Sequence, residues 1–413
     1  MISEIKPKEL DKVVWSKEQI SCLLESNTLL LGATQTGKST LMDMMIKNVS
    51  ENNNGKSVIF EVKGERISSI TENDYYVSCS RTNIIKGKKF VWSILKEALS
   101  YGEKDIERKL AAIYMPFFRE RIQKSNQPYF IKAASNLLVG LTYSLYKKYG
   151  VISNYKLFNT LEQMDVAEYY SLMQEAGILR KYVRDIPVIN GKLTGQAVGV
   201  LGELSHYIRI FSRVFTEDGF DTIYEFITSN DCEKMFLLYD YASRDDSDFI
   251  FSILFNLIIS YKLSINSINS TIPVYMFLDE ISVMNTEIDL QFASNIGMSR
   301  GLKVYIAIQS IELLLAVYGE SKAKAILEGF NNYVVFKVNQ KNTKEYVKSI
   351  IGMDMDSLLI SLPISRRDKV TYQMTTRNLI TDEIINDLNV GVALVKVGIS
   401  DTKLITFKKE EYL

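Results

Sequence analysis

Apolar residues recur along the chain in two alternating rhythms. Short apolar runs bounded by polar or Gly/Pro residues stand at Thr28–Leu31, Ser57–Val62, Lys234–Tyr241, Pro273–Leu278, Val304–Ile308 and Tyr333–Val338, and each predicts a strand. Helical spacing follows most of them, through Leu41, Met44, Met45 and Asn48, from Ser243 to Ser264, through Leu290, Phe292, Ile296 and Met298, and over 316–329. Strands alternating with helices predict an α/β fold with a mainly parallel sheet. Between Lys96 and Gly191 strand signals nearly vanish. Amphipathic patterns over 103–123 and 128–148, then shorter ones over 157–164 and 166–176, predict a helical group. These shifts suggest a first α/β part over 1–149, an inserted all-α domain over 150–206 and a second α/β part over 207–413. Residues 1–27 read as a short lead-in helix with Ser16 as N-cap. The alternating pair 392–397 and 403–407 reads as a hairpin at the sheet edge.

The chain has 413 residues, 46% hydrophobic and 24% charged, enough for a large core and against disorder. Lys plus Arg equals Asp plus Glu at 49 each, so no global field draws the protein to nucleic acid or acidic lipid. DNA contact would need local patches: Lys86, Lys88 and Lys89; Lys147 and Lys148; or Arg180, Lys181 and Arg184. Cys22, Cys79 and Cys232 have neither metal-ligand spacing nor a disulfide pattern, and the lone histidine, His206, has no partner at metal or general-base spacing. The first fifteen residues are charged and mixed, unlike a signal peptide. The longest apolar stretch, 249–265, is broken by Ser252, Asn256, Ser260 and Lys262, and a span needs about 20 apolar residues. A cytoplasmic protein without a transmembrane segment is expected.

The first strand runs into Gly32-Ala33-Thr34-Gln35-Thr36-Gly37-Lys38-Ser39-Thr40 and then a helix. This is the strand, G-x-x-x-x-G-K-[ST] loop and helix order of a phosphate-binding loop. The two glycines let backbone N–H groups converge on a phosphate, Lys38 reaches the β- and γ-phosphates, and Ser39 offers its hydroxyl to Mg²⁺. Hydrolysis also needs a carboxylate near the metal and a group that activates water. Asp279 and Glu280, ending a buried strand, supply them as Mg²⁺ partner (through water) and water-polarising base. Gln309, ending the next strand, can sense the γ-phosphate or orient water, and Arg300 can act in trans as an arginine finger in an oligomer. Lys63 and Glu65, just past another strand, are expected to face the nucleotide, since open α/β sheets bind ligands at strand carboxyl ends.

Linked motifs then resemble a known family. Beside the phosphate loop stand Glu61-Val62-Lys63-Gly64-Glu65, similar to its "D-P-K-G-E", and Trp92-Ser93-Ile94-Leu95-Lys96-Glu97, similar to its "W-N-I-x-x-E". Pro128-Tyr129-Phe130-Ile131-Lys132-Ala133-Ala134, Phe277-Leu278-Asp279-Glu280 and Gln309-Ser310 through Val317-Tyr318-Gly319 follow in the family's order. The chain thus resembles the coupling-protein ATPases of type IV secretion and conjugation (the TraG/TraD class), in the HerA/FtsK branch of RecA-like motors. The resemblance implies a RecA-like P-loop NTPase core with an all-α domain, ATP and Mg²⁺ as cofactors, and a homo-hexameric ring. It also implies DNA, single-stranded and relaxase-bound, and a type IV secretion channel or membrane partner as its partners. The family usually carries N-terminal membrane helices, and this sequence shows none, so a peripheral location at the inner face of the cell membrane would run through a partner. The family's arginine three residues before the glycine matching Gly301 is Met298 here. Competing readings are a HerA/FtsK-like duplex-DNA pump and a nucleotide-gated adaptor recruiting protein cargo.

Overall fold

The computed structural model describes residues 12–14, 17–52, 55–80, 86–100, 102–229, 234–264, 272–351, 353–362, 371–378, 380–400 and 402–407. The chain forms two compact units, Met1–Val62 with Ile265–Leu413, and Lys63–Ser264.

The first unit opens with β1 (Lys12–Val14), α1 (Lys17–Ile20), β2 (Thr28–Leu31), α2 (Lys38–Glu51) and β3 (Lys56–Glu61). In place of a longer lead-in helix stand a three-residue strand, a four-residue helix and a 3₁₀ turn over Ser21–Leu24. Ser16 lies outside the described residues.

The second unit holds β4 (Tyr75–Ser78), β5 (Lys88–Lys89), α3 (Ile94–Leu99), α4 (Ile106–Lys124), α5 (Pro128–Tyr149), α6 (Asn154–Gln163), α7 (Val166–Glu175) and α8 (Leu179–Tyr182). A small hairpin, β6 (Val188–Ile189) with β7 (Lys192–Leu193), precedes α9 (Gly195–Val214), α10 (Ile223–Thr228), β8 (Lys234–Leu238) and α11 (Arg244–Leu263). In this unit β8, β4 and β5 are parallel neighbours. Its helical part begins well before residue 150, and α9 runs through residue 206 to Val214. Helices α4, α5, α6 and α9 pack around Phe118, Leu138, Phe158 and Phe211, all fully buried. The apolar stretch that begins at Phe249 is the buried body of α11, and no helix among the described residues is long and apolar enough to cross a membrane.

The chain returns to the first unit with β9 (Val274–Asp279), α12 (Leu290–Ile296), β10 (Leu302–Ile308), α13 (Ile311–Leu327), β11 (Asn332–Val335) and α14 (Lys341–Ile351). A separate hairpin, β12 (Met353–Leu362) with β13 (Thr371–Asn378), then α15 (Asp382–Asn386), β14 (Val392–Val397) and β15 (Lys403–Thr406) complete it. Strands β11, β2, β10, β9 and β3 run parallel in that order. Residues along β2, β3 and β9 are buried without alternation, as expected of parallel strands covered on both faces. The hairpin β14–β15 joins β11 antiparallel, and β1 pairs beyond β15. The hairpin expected at the edge therefore lies one strand inside it. The result is a RecA-like P-loop core with a mainly parallel sheet, accompanied by a mainly helical region that holds the small β6–β7 hairpin.

Candidate active site

The phosphate loop bridges β2 and α2. Gly37 is the N-cap of α2 with φ 117°, and no side chain caps the helix, so its first N–H groups meet whatever sits before it. Gly32 is needed for a different reason. A Cβ there would lie 2.7 Å from Phe336 Cβ and 2.8 Å from Thr36 Oγ1. Gln35, at the crest of the loop, takes φ 60°, while Thr34 and Gln35 are exposed. Thr36 Oγ1 donates to the Ala33 carbonyl at 2.9 Å. Lys38 is buried, and its Nζ donates to the Gly32 and Ala33 carbonyls at 2.5 and 2.8 Å. Thr40 is half-buried in the first turn of α2.

Parallel pairing of β2 with β10, and of β10 with β9, aligns three strand carboxyl ends beside this loop. Ser39 Oγ donates to Asp279 Oδ2 at 3.0 Å. Gln309 Nε2 donates to Glu280 Oε2 at 2.8 Å. Glu280 takes the left-handed conformation (φ 62°, ψ 40°), which a side-chain-bearing residue adopts at a cost of about 1–3 kcal/mol. Its backbone N–H still reaches the Ala307 carbonyl at 2.9 Å, so the strand end holds it there. Glu280 is 6% exposed, and its Oε1 is buried with no hydrogen-bond partner. An open acceptor in a buried carboxylate costs about 1–3 kcal/mol and is a feature of sites that bind something.

The structure thus brings together Lys38, Ser39, Asp279, Glu280 and Gln309. The pair Ser39 and Asp279 offers hard oxygen ligands, the donor type that suits Mg²⁺ bound alongside phosphate. Among the described residues no cluster of three or more His, Cys, Asp or Glu could hold a metal by itself. Lys63 and Glu65 stand exposed on the turn after β3, around Gly64 (φ 76°), within the second unit. Arg300 ends a 3₁₀ turn just before β10, at the amino end of the strand whose carboxyl end carries Gln309. The seven residues of β10 separate the two by about 20 Å.

Other neighbours of the loop escaped the sequence reading. The Lys337 carbonyl accepts from Ala33 N at 2.7 Å, Gly391 N donates to the Thr36 carbonyl at 3.0 Å, and the Phe336 ring would stand 3.2 Å from a Cβ on Gly37. No short motif marks these positions. Each basic patch is partly neutralised: Lys89 pairs with Glu217, Lys148 with Glu175 and Lys181 with Glu107. Cys22 and Cys79 are free thiols, and Cys232 lies outside the described residues.

No curated protein matches the chain in sequence. In structure, it is similar to the bacterial conjugative coupling protein TrwB lacking its first 70 residues, with 16% identity, a TM-score of 0.70, and coverage of 98% of this chain and 90% of that one. TrwB in complex with ADP and Mg²⁺ matches with 16% identity, a TM-score of 0.70, and 97% and 90% coverage. VirB4 of Thermoanaerobacter pseudethanolicus matches with 11% identity, a TM-score of 0.54, and 92% and 89% coverage. At such identities these are likenesses of fold. The family of the type IV secretion-system coupling protein DNA-binding domain matches residues 20–395, nearly the whole chain, and the protein belongs to that family.

Proposed function

We propose that this protein is an ATP-hydrolysing coupling protein. On this reading it is a translocase that recruits relaxase-bound DNA, or a protein substrate, and feeds it to a type IV secretion or conjugation channel. It works as a six-subunit ring, held at the inner face of the cell membrane by a partner. The observation that carries the reading is the Glu280 carboxylate. Gln309 holds one of its oxygens, the other is open, and Ser39 and Asp279 are joined alongside. TrwB has been seen with ADP and Mg²⁺ and with analogues of ATP and GTP, which supports nucleotide chemistry at the matching loop here.

The residues divide the chemistry between them. The N-terminus of α2 binds the phosphates through its N–H groups and its dipole. Lys38, now on the loop's own carbonyls, has a flexible stem that can turn its ammonium to the β- and γ-phosphates. Ser39 and Asp279 would hold Mg²⁺, which when bound neutralises charge developing on the phosphate oxygens. Glu280 Oε1 accepts a hydrogen bond from the attacking water and orients it, while Gln309 fixes the carboxylate.

Steady-state ATP hydrolysis without DNA, with single-stranded DNA and with duplex DNA, across protein concentration, tests the proposal. Cooperative, DNA-stimulated hydrolysis with a single-strand preference is expected. Duplex preference without any relaxase would move the protein to the duplex pumps, and flat, DNA-indifferent hydrolysis to the adaptors. Lys38→Ala should abolish hydrolysis, and Glu280→Gln should bind ATP yet stall. Normal turnover by Glu280→Gln would remove the carboxylate from its assigned role.

A further inference from the structure

The strand order gives the phosphate loop two unlike flanks. Counting from β2, one flank runs through β10 to β9 and ends in Asp279 and Glu280. The other runs through β11 to β14. A triphosphate seated on α2 with its terminal phosphate toward Asp279 and Glu280 must extend its nucleoside the opposite way. That direction leads over the end of β11 and the turn that enters β14.

This turn, Asn389–Val392, is closed by Val392 N donating to the Asn389 carbonyl at 3.1 Å. Its third residue, Gly391, has φ 78°, the conformation a type II turn requires there. Gly391 is fastened to the phosphate loop. Its N–H bonds the Thr36 carbonyl, and its Cα would lie 3.5 Å from a Cβ on Gly37. Its own carbonyl accepts from Phe407 N at 2.8 Å, so the hairpin holds the turn from behind. The residue before it, Val390, is a branched apolar side chain left 76% exposed, one peptide unit from the glycine that bonds the phosphate loop.

We propose that this turn is the nucleoside platform of the site, with Val390 packing its methyl groups against the face of the base. The proposal rests on the nucleotide-binding reading above and adds the residue that receives the base. An apolar contact reads no hydrogen-bonding edge, so adenine and guanine are accepted equally.

Calorimetric titration of the full chain with Mg-ATP, Mg-GTP and Mg-tripolyphosphate tests it. Tripolyphosphate fills the phosphate loop but carries no nucleoside. Val390→Ser should weaken ATP and GTP by the same factor, about fivefold, and leave tripolyphosphate unchanged. Unchanged ATP affinity in that variant overturns the proposal. Equal weakening of tripolyphosphate also overturns it, because the turn would then only prop the loop. Failure of the underlying reading looks different: the unsubstituted chain would bind neither ATP nor tripolyphosphate.

Discussion

At the scale of single residues, the site is a set of local sacrifices. Glu280 gives up a favourable backbone conformation and leaves one buried oxygen unbonded. Such violations persist where surrounding structure enforces them, and here β9 and Gln309 do so. On the proposed function Gln309 is a positioning residue, acting through Glu280. Gln309→Ala should lower kcat for ATP about 10- to 100-fold with KM nearly unchanged, because it frees the base without touching the phosphates. A matching rise in KM would place Gln309 on the nucleotide itself. Gly37→Ala is a stricter test of the loop. At φ 117° an L side chain is strained, and its Cβ meets Phe336, so nucleotide affinity measured by titration should fall by at least about tenfold. The loop residues were legible in the sequence because spacing along one strand-turn-helix unit encodes them, and Asp279 and Glu280 because they end an apolar run that reads as a buried strand. Phe336, Lys337 and Gly391 were not, since their contacts with the loop join positions about 300 to 355 residues apart and two of the three act through backbone atoms.

At the scale of elements, one buried carboxylate explains a motif that the sequence could only display. Glu97 on α3 accepts from Trp92 Nε1 at 2.8 Å, from Ile223 N and Tyr224 N at 2.7 and 3.1 Å, and from the Tyr261 hydroxyl at 2.5 Å. It therefore binds the amino end of α10 to α3 and α11, and Trp92 to all three. Glu97→Ala would strand four donors and open a cavity. A loss of about 3–5 kcal/mol is expected in urea unfolding, and a loss below about 1 kcal/mol would make the network incidental. Burial, partly offset by these donors, holds the carboxyl above its ordinary value near 4.5. The folded chain thus binds this proton more tightly than the unfolded one. Stability should decline as pH rises from about 4.5 through the folded value, a slope the alanine variant lacks. Elements with strong periodicity, such as α5 and α11, were readable directly. Helix α9 was harder, because Gly195, Gly199 and Gly202 lower its intrinsic propensity. Tertiary packing overrides that penalty at Gly199, where a Cβ would stand 2.8 Å from the Phe130 ring. Strand β1, at three residues, was too short to carry a periodic signal.

At the scale of the whole molecule, the position of Arg300 sets which copy's site it can reach. It lies before β10, while Glu280 and Gln309 lie at the carboxyl ends, about 20 Å away along a rigid, buried strand. An arginine side chain reaches about 7 Å, so Arg300 cannot touch the phosphates of its own chain. If it contributes to catalysis at all, a second copy must receive it. Beside it Phe292, Ile296 and Met298 are 52%, 49% and 40% exposed, an apolar surface suited to such a neighbour. Mixing two inactive variants tests this. Arg300→Ala keeps a complete phosphate loop and Glu280, whereas Glu280→Gln keeps Arg300. In a ring, an Arg300→Ala chain beside a Glu280→Gln chain regains every group on one shared site. Random equimolar mixing should restore hydrolysis to about a quarter of the unsubstituted rate, from two variants that are each depressed by about 10³-fold alone. A mixture no more active than the mean of its parts would exclude transfer of Arg300 between copies. Full activity of Arg300→Ala alone would remove this residue from catalysis and return it to the surface.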